Sequence, residues 1–234
     1  MTDFYYITPD ENIQLFSGTL YHGTTKENAA NILENNFLPS SNPNLHLGDG
    51  VYFYDNETYA IWWVIKKPVC KVPKDRLKKY ISEQDLTLCK DVFECFLKNL
   101  EIIVVEIENA KHLSLDDSAN KRIFENFYQK LKGKNEQNQM LNNRSIYNVF
   151  FEWAPFKNEI DMASMTTNYY NFSKNRSPSN PMLPHEAYLY KIYCVKNIDI
   201  LKKRKRLYMT PENIEYCLEF MIRKEQLFRK NRGD

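Results

Sequence analysis

Tyr21-His22-Gly23-Thr24 and, further along, Gly48-Asp49-Gly50-Val51-Tyr52-Phe53 are the two stretches on which the fold turns. Each ends a β-type run and opens onto a helix. Leu20 to His22 reads as a short strand, and Thr25 to Asn35 as a helix with Thr24 or Thr25 as N-cap and Ala29, Ile32 and Leu33 on its inner face. Val51 to Tyr54 is β-branched and aromatic, hence a strand, and Asn56 to Lys66 is a helix that Pro68 stops. Neither junction carries the glycine-rich strand-to-helix turn of a doubly wound dinucleotide-binding sheet. Short strands separated by helices, without that turn, predict an α+β fold with a mixed or antiparallel sheet.

The same reading extends outward. Ser82 to Leu100 is helical, with Leu86, Val92, Phe93 and Phe96 near helical spacing. Glu101 to Ile107 follows as a nearly continuous β-type run, which predicts a buried strand. Ser118 to Lys132 and Ser145 to Trp153 are further helices, and Ile160 to Thr166 a strand. Glu186 to Val195 alternates and is rich in tyrosine, so it is a strand, and Thr210 caps a last helix from Pro211 to about Arg229. Asn168 to Pro184, polar and rich in Asn, Ser and Pro, is long enough to be a working loop.

A chain of 234 residues that is 43% hydrophobic can bury a proper core, and we read it as one domain, 1–234. No run approaches the roughly 18 apolar residues of a membrane span. The N-terminus, with Asp3, Asp10 and Glu11, lacks the basic start and apolar stretch of a secretion signal. The expected location is the cytoplasm, without a membrane partner. Five cysteines, with no C-x-x-C spacing, predict free buried thiols rather than a disulfide framework or a zinc site, and no metal is expected. The net charge of +2 hides two basic runs, Lys66 to Lys79 and Lys202-Lys203-Arg204-Lys205-Arg206. Such clusters can face a phosphate-rich partner, although most are solvated surface.

Singly, a strand histidine, a tyrosine in G-V-Y-F and a glutamate opening a strand are ordinary. Together, Tyr21-His22-Gly23-Thr24, Gly48-Asp49-Gly50-Val51-Tyr52-Phe53 and Glu186-Ala187-Tyr188-Leu189-Tyr190 resemble the ADP-ribosyltransferase superfamily, in its diphtheria-toxin and poly(ADP-ribose)-polymerase branch. That branch carries His, Tyr and Glu on three separate strands. The resemblance implies a split mixed or antiparallel sheet with flanking helices, and NAD+ as co-substrate. Its catalytic residues would be His22, Tyr52 and Glu186. Gly23 would offer backbone groups to the nicotinamide carboxamide, His22 would bind the adenine-side ribose with Thr24 assisting, and Tyr52 would stack on the nicotinamide. Trp63 matches the second stacking aromatic, with Trp62 as the alternative. Glu186 would bind the 2′-hydroxyl of the nicotinamide ribose, beside the developing oxocarbenium charge. Glu152 and Glu159 compete for that place. Relatives in this branch carry a carboxamide-binding serine near the middle of the second helix, where this chain has Ala60 or its neighbours.

The acceptor is read from the Asn168–Pro184 loop, where Tyr169, Tyr170 and Phe172 interleave with Lys174 and Arg176. Aromatics beside cations suit single-stranded nucleic acid. The expectation is mono-ADP-ribosylation of RNA or DNA, with a protein acceptor or an inactive NAD-binding module as alternatives. By resemblance, such a compact enzyme is a toxin with an antitoxin partner.

Overall fold

The elements follow in the order β1 (Gln14–Thr25), α1 (Lys26–Asn35), β2 (Val51–Tyr54), α2 (Glu57–Ile65), α3 (Lys90–Asn99), β3 (Leu100–Ser114), α4 (Ser118–Asn138), α5 (Ile146–Phe151), β4 (Met162–Asn168), β5 (Leu189–Val195) and β6 (Lys203–Leu207). A final helix, α6, runs over 211–217. The structure is a computed structural model, and it describes residues 13–41, 47–65, 90–138, 146–152, 156, 158–168, 189–217 and 219–220.

The strands form one sheet in the order β1-β2-β5-β4-β3-β6, and a further β1–β3 pairing closes the first five into a small barrel with β6 outside the ring. Closure is possible because β3 is 15 residues long. One of its edges pairs with β1 from Gln14 to Thr25. The other takes β6 at Ile102–Glu106 and then β4 at His112–Ser114. The β3–β4 pair is parallel and the other pairings are antiparallel, so the sheet is mixed, as predicted. The expectation of a split sheet meets a closed ring instead. Its weakest seam is β1–β2, which pair at the single position Tyr21–Tyr54.

β3 runs on to Ser114, past the expected end at Ile107, and β4 is shifted by two residues, to Met162–Asn168; β1 and β6 differ further from their sequence reading. β1 begins at Gln14 rather than Leu20, because pairing with β3 carries it through Ser17-Gly18, across a register shift between Phe16 and Gly18. β6 was not legible as a strand at all, since Lys-Arg-Lys-Arg-Leu has no apolar alternation. Its alternation is one of partners. Lys203 meets Glu108, Lys205 lies 3.6 Å from Glu106, and Arg206 lies 3.6 Å from Glu101, all three acids on β3. Arg204 turns the other way and donates to Ile32 O (2.9 Å) and Asn36 Oδ1 (2.8 Å) at the C-terminal end of α1. Charged side chains on an edge strand also discourage pairing with a second sheet.

The apolar residues fall into two clusters, one on each face of the sheet. The larger holds Ala60, Ile61, Trp62, Val64 and Ile65 of α2 with Phe96, Phe127, Phe150, Phe151 and Ile214. The smaller holds Leu20, Phe53, Ile103, Val105 and Tyr193 under Ala29 and Ile32 of α1. On β3, Ile102 belongs to the first and Ile103 to the second, the two-residue alternation of a strand covered on both sides. Thr25 caps α1 by accepting from Asn28 N–H at 3.1 Å, which settles the choice between the two threonines. Cys194 and Cys217 are free and buried. Cys95, by contrast, is disulfide-bonded, which corrects the expectation of free thiols throughout; spacing in sequence does not say which cysteines the fold brings together. No helix among the described residues is long and apolar enough to cross a membrane.

Candidate functional site

The β1–β2 seam brings His22, Gly23 and Tyr52 together. Beyond Tyr21–Tyr54 the ladder between these strands stops, and among the described residues no strand pairs with Gly23 from the β2 side. In place of the ladder, His22 Nδ1 lies 2.8 Å from the Tyr52 carbonyl oxygen. The imidazole itself faces the smaller cluster, 5.2 Å from the Phe37 ring and 5.6 Å from that of Phe53. Tyr52, one position over in β2, faces the other way and packs against the larger cluster together with Trp63 and Tyr59. The His22 and Tyr52 side chains therefore stand on opposite faces of the sheet, joined through backbone.

The Tyr52 hydroxyl closes the glycine loop ahead of it. It donates to Gly48 O at 2.6 Å and accepts from Leu47 N–H at 2.9 Å. Burial above all, with Cys194 nearby, drives this phenol far above its ordinary range, so it stays protonated and keeps donating. The glycines have mechanical reasons. Gly48 has φ +71°, and a Cβ there would lie 2.1 Å from Asn148 Oδ1. Gly50 has φ +152°, and its Cβ would lie 2.5 Å from Cys194 Sγ. Asn148 returns a hydrogen bond from Nδ2 to Asp49 Oδ1 (2.8 Å), while Lys196 Nζ donates to Leu47 O (2.5 Å) and Asp49 O (2.6 Å).

Asn148 and Lys196 were not foreseen from sequence. The available signal was Asn148 itself, one polar residue inside the aromatic run Ile146–Phe151.

Gly23 sits directly under α2, where a Cβ would lie 2.2 Å from Ala60 O and 3.1 Å from Val64 Cβ. The helix could not approach β1 this closely with any side chain at 23. Ala60 is fully buried, so its methyl contributes packing and no hydrogen bond. Trp62 is also core, at 5% exposure, whereas Trp63 is half-buried with its ring 6.5 Å from Tyr54. Of the two tryptophans, Trp63 is the one a ligand can reach. Thr24 is buried at the end of β1, opposite Glu101.

Glu186 lies outside the described residues, three positions before Leu189, where β5 begins. Tyr169, Tyr170, Phe172, Lys174 and Arg176, and the run from Lys66 to Lys79, lie outside them as well. Of the competing glutamates, Glu159 is an exposed partner of Lys111 at 3.7 Å. Glu152 lines a cavity of about 470 Å³ behind the Asp49 loop, with Asn148, Asp161 and Lys196. The second basic run is the one that changes meaning. Lys203, Arg204, Lys205 and Arg206 each have a partner within the chain, while Lys202, which opens the run, is exposed. Among the described residues no group of three or more His, Cys, Asp or Glu side chains could hold a metal ion.

No protein-family model matches the chain, and no solved structure matches it. Over 47 residues it is 49% identical to an uncharacterized protein of Methanocaldococcus jannaschii, a stretch that makes up 20% of this chain and 22% of that protein. The chain thus spans about a fifth of the curated relative it matches.

Proposed function

We propose that this chain cleaves NAD+ at the nicotinamide bond and transfers the ADP-ribose to a macromolecular acceptor, nucleic acid before protein. The observation that carries the reading is the β1–β2 seam. The ladder stops at Tyr21–Tyr54, and two residues on, among the described residues, no strand pairs with Gly23 from the β2 side. A primary carboxamide presents its C=O and the N–H syn to it side by side, the complement of an unpaired strand edge. Tyr52 and Trp63, half-buried on the α2 side, are suited to stack on the attached ring, and His22 on the opposite face is suited to a ribose hydroxyl. A dinucleotide touching all of them would cross the seam, where the described residues show the Tyr21–Tyr54 pairing and the His22–Tyr52 bond.

In the reaction the bond between C1′ of the ribose and the nicotinamide nitrogen breaks, and the electron pair leaves with neutral nicotinamide. A bond from C1′ to the acceptor atom forms, and the acceptor's proton passes to solvent. Glu186, held by resemblance alone, would stabilise the cationic ribose between the two events. The toxin and antitoxin reading rests on the same resemblance.

The test is incubation of the full chain with labelled NAD+ and either cell RNA or lysate protein. Wild type should release nicotinamide and label an acceptor, and Glu186→Gln should lower transfer at least 100-fold while NAD+ affinity changes less than tenfold. Absence of nicotinamide release with every acceptor class overturns the enzymatic reading. Retained NAD+ binding in that case would leave the second reading, a binding module built on the same seam.

A further inference from the structure

A second concavity, of about 520 Å³, opens between α4, α5 and β4. Its walls are apolar and largely flat: Leu115, Phe124, Tyr147 and Met165. Phe124 and Tyr147 already stack face to face, with centroids 4.7 Å apart and planes 7° from parallel. Its polar lining is Asp116, Lys121, Glu125 and Thr166. Asp116 is fixed in place. It accepts from Thr166 N–H (2.6 Å) and Thr166 Oγ1 (2.9 Å), and Lys191 Nζ of β5 lies 3.5 Å away.

The size falls in the range of sites for small organic ligands, roughly 300–1,000 Å³. The electrostatics narrow the class. Asp116 has Lys191 beside it, and Lys121 lies one helical turn before Glu125, so the lining has no excess of positive charge for a phosphate. What fits is a neutral planar group with an apolar face for the ring pair and thioether and a donor-rich edge for Asp116 and Glu125. A nucleobase has that chemistry, and its phosphate does not.

The pocket lies beside the two strands that flank Glu186 in the sequence. Thr166 pairs with Lys191 across β4–β5, and Asn168 with Leu189 at the last described position of the same ladder. These are the strands between which the chain passes through Glu186.

We propose that this pocket is the acceptor subsite and that it takes a nucleobase unstacked from a single strand. The proposal rests on the transferase reading for its role, and on the cavity alone for its ligand. Binding is then read by shape and base edge rather than by a basic surface, in keeping with Lys203, Lys205 and Arg206 of β6 facing acids of β3.

Two measurements on the full chain test it. In the first, free nucleosides are titrated into wild type, Met165→Trp and Glu125→Gln by ligand-observed NMR. Wild type should bind at least one nucleoside. Met165→Trp, which fills the cavity, should weaken binding at least tenfold, and the exposed, isosteric Glu125→Gln should change the order of preference among bases. No nucleoside binding by wild type, or binding that both substitutions leave unchanged, overturns the pocket. In the second, the ratio of label on a single-stranded oligonucleotide to nicotinamide released is measured with NAD+. The ratio should fall at least tenfold in Met165→Trp. Label found on protein and never on an oligonucleotide overturns the nucleobase assignment. Nucleoside binding without any nicotinamide release would sink the transferase reading while the ligand assignment stands.

Discussion

His22 Nδ1 and the carbonyl oxygen of Tyr52 are 2.8 Å apart, and this bond spans two strands whose ladder has already ended. The imidazole is therefore a structural tie as well as a candidate ligand contact. His22→Ala removes the tie and the ring contacts to Phe37 and Phe53, and should cost about 2–4 kcal/mol in denaturant unfolding. If NAD+ occupies the seam, its affinity should fall in step at a temperature where the variant is still folded. Unchanged affinity in calorimetry of the folded variant would remove His22 from the site.

Tyr52→Phe separates the hydroxyl from the ring. The variant removes the hydroxyl from Leu47 N–H and leaves Gly48 O with the Cys194 thiol at 3.8 Å, at a cost of about 1–3 kcal/mol. A stacking role needs only the ring, so NAD+ affinity should stay within about fivefold of wild type. A large loss of affinity with little loss of stability would reverse this division of labour.

Gly23→Ala should be among the most damaging single-methyl changes in the chain. The added carbon would meet backbone, Ala60 O at 2.2 Å, which cannot swing aside as a flexible side chain could. A loss of about 2–4 kcal/mol is expected, read as a fall in midpoint or in soluble yield. Stability equal to wild type would mean that α2 does not sit on β1 as described.

Within the basic strand Arg204 is structural, whereas Lys203 and Lys205 are surface residues. Arg204→Ala removes two hydrogen bonds to the end of α1 and should cost about 1–2 kcal/mol. Lys203 and Lys205 are more than half exposed, and their ion pairs are worth little in water, so Ala at either should leave the unfolding midpoint nearly unmoved. Nor should those two changes alter the salt dependence of any oligonucleotide binding. A slope reduced by about one per lysine would return the run to the acceptor surface.

His112 makes stability depend on pH. Burial, helped by Lys191 and opposed by Asp116, lowers its pKa from 6.5 to about 4, and its Nε2 lies 2.8 Å from Ser164 Oγ. The unfolded chain takes up this proton below about pH 6.5 and the folded chain only near pH 4. Stability should thus be full above that window, decline as pH falls through it, and lose nothing further from this residue below it. The contribution is about 3 kcal/mol by linkage. Denaturant midpoints between pH 7 and 4 should fall less steeply for His112→Gln, and parallel curves for the two proteins would refute the assignment.

Much of the secondary structure was legible because it depends on local pattern. Val51–Tyr54 was found at its full length, and α1 and α2 to within a residue at each end, since capping threonine, helical spacing and β-branched runs act over a few positions. The motifs at His22 and Tyr52 were legible as residue types in order. Their relation was not: that the two side chains stand on opposite faces of a seam, that Gly23 is glycine because Ala60 O lies against it, and that Tyr52 holds the loop before it. Each depends on contacts between residues distant in sequence, down to Asn148 meeting Asp49.

The basic run at 203–206 marks the boundary between the two kinds of knowledge. Sequence alone determined that five cations stand in a row from Lys202 to Arg206, and charge can be counted without a fold. Only the tertiary structure decided what they face, because a strand's side chains alternate and their partners are chosen by the neighbouring strand's register, here Glu101, Glu106 and Glu108 on β3.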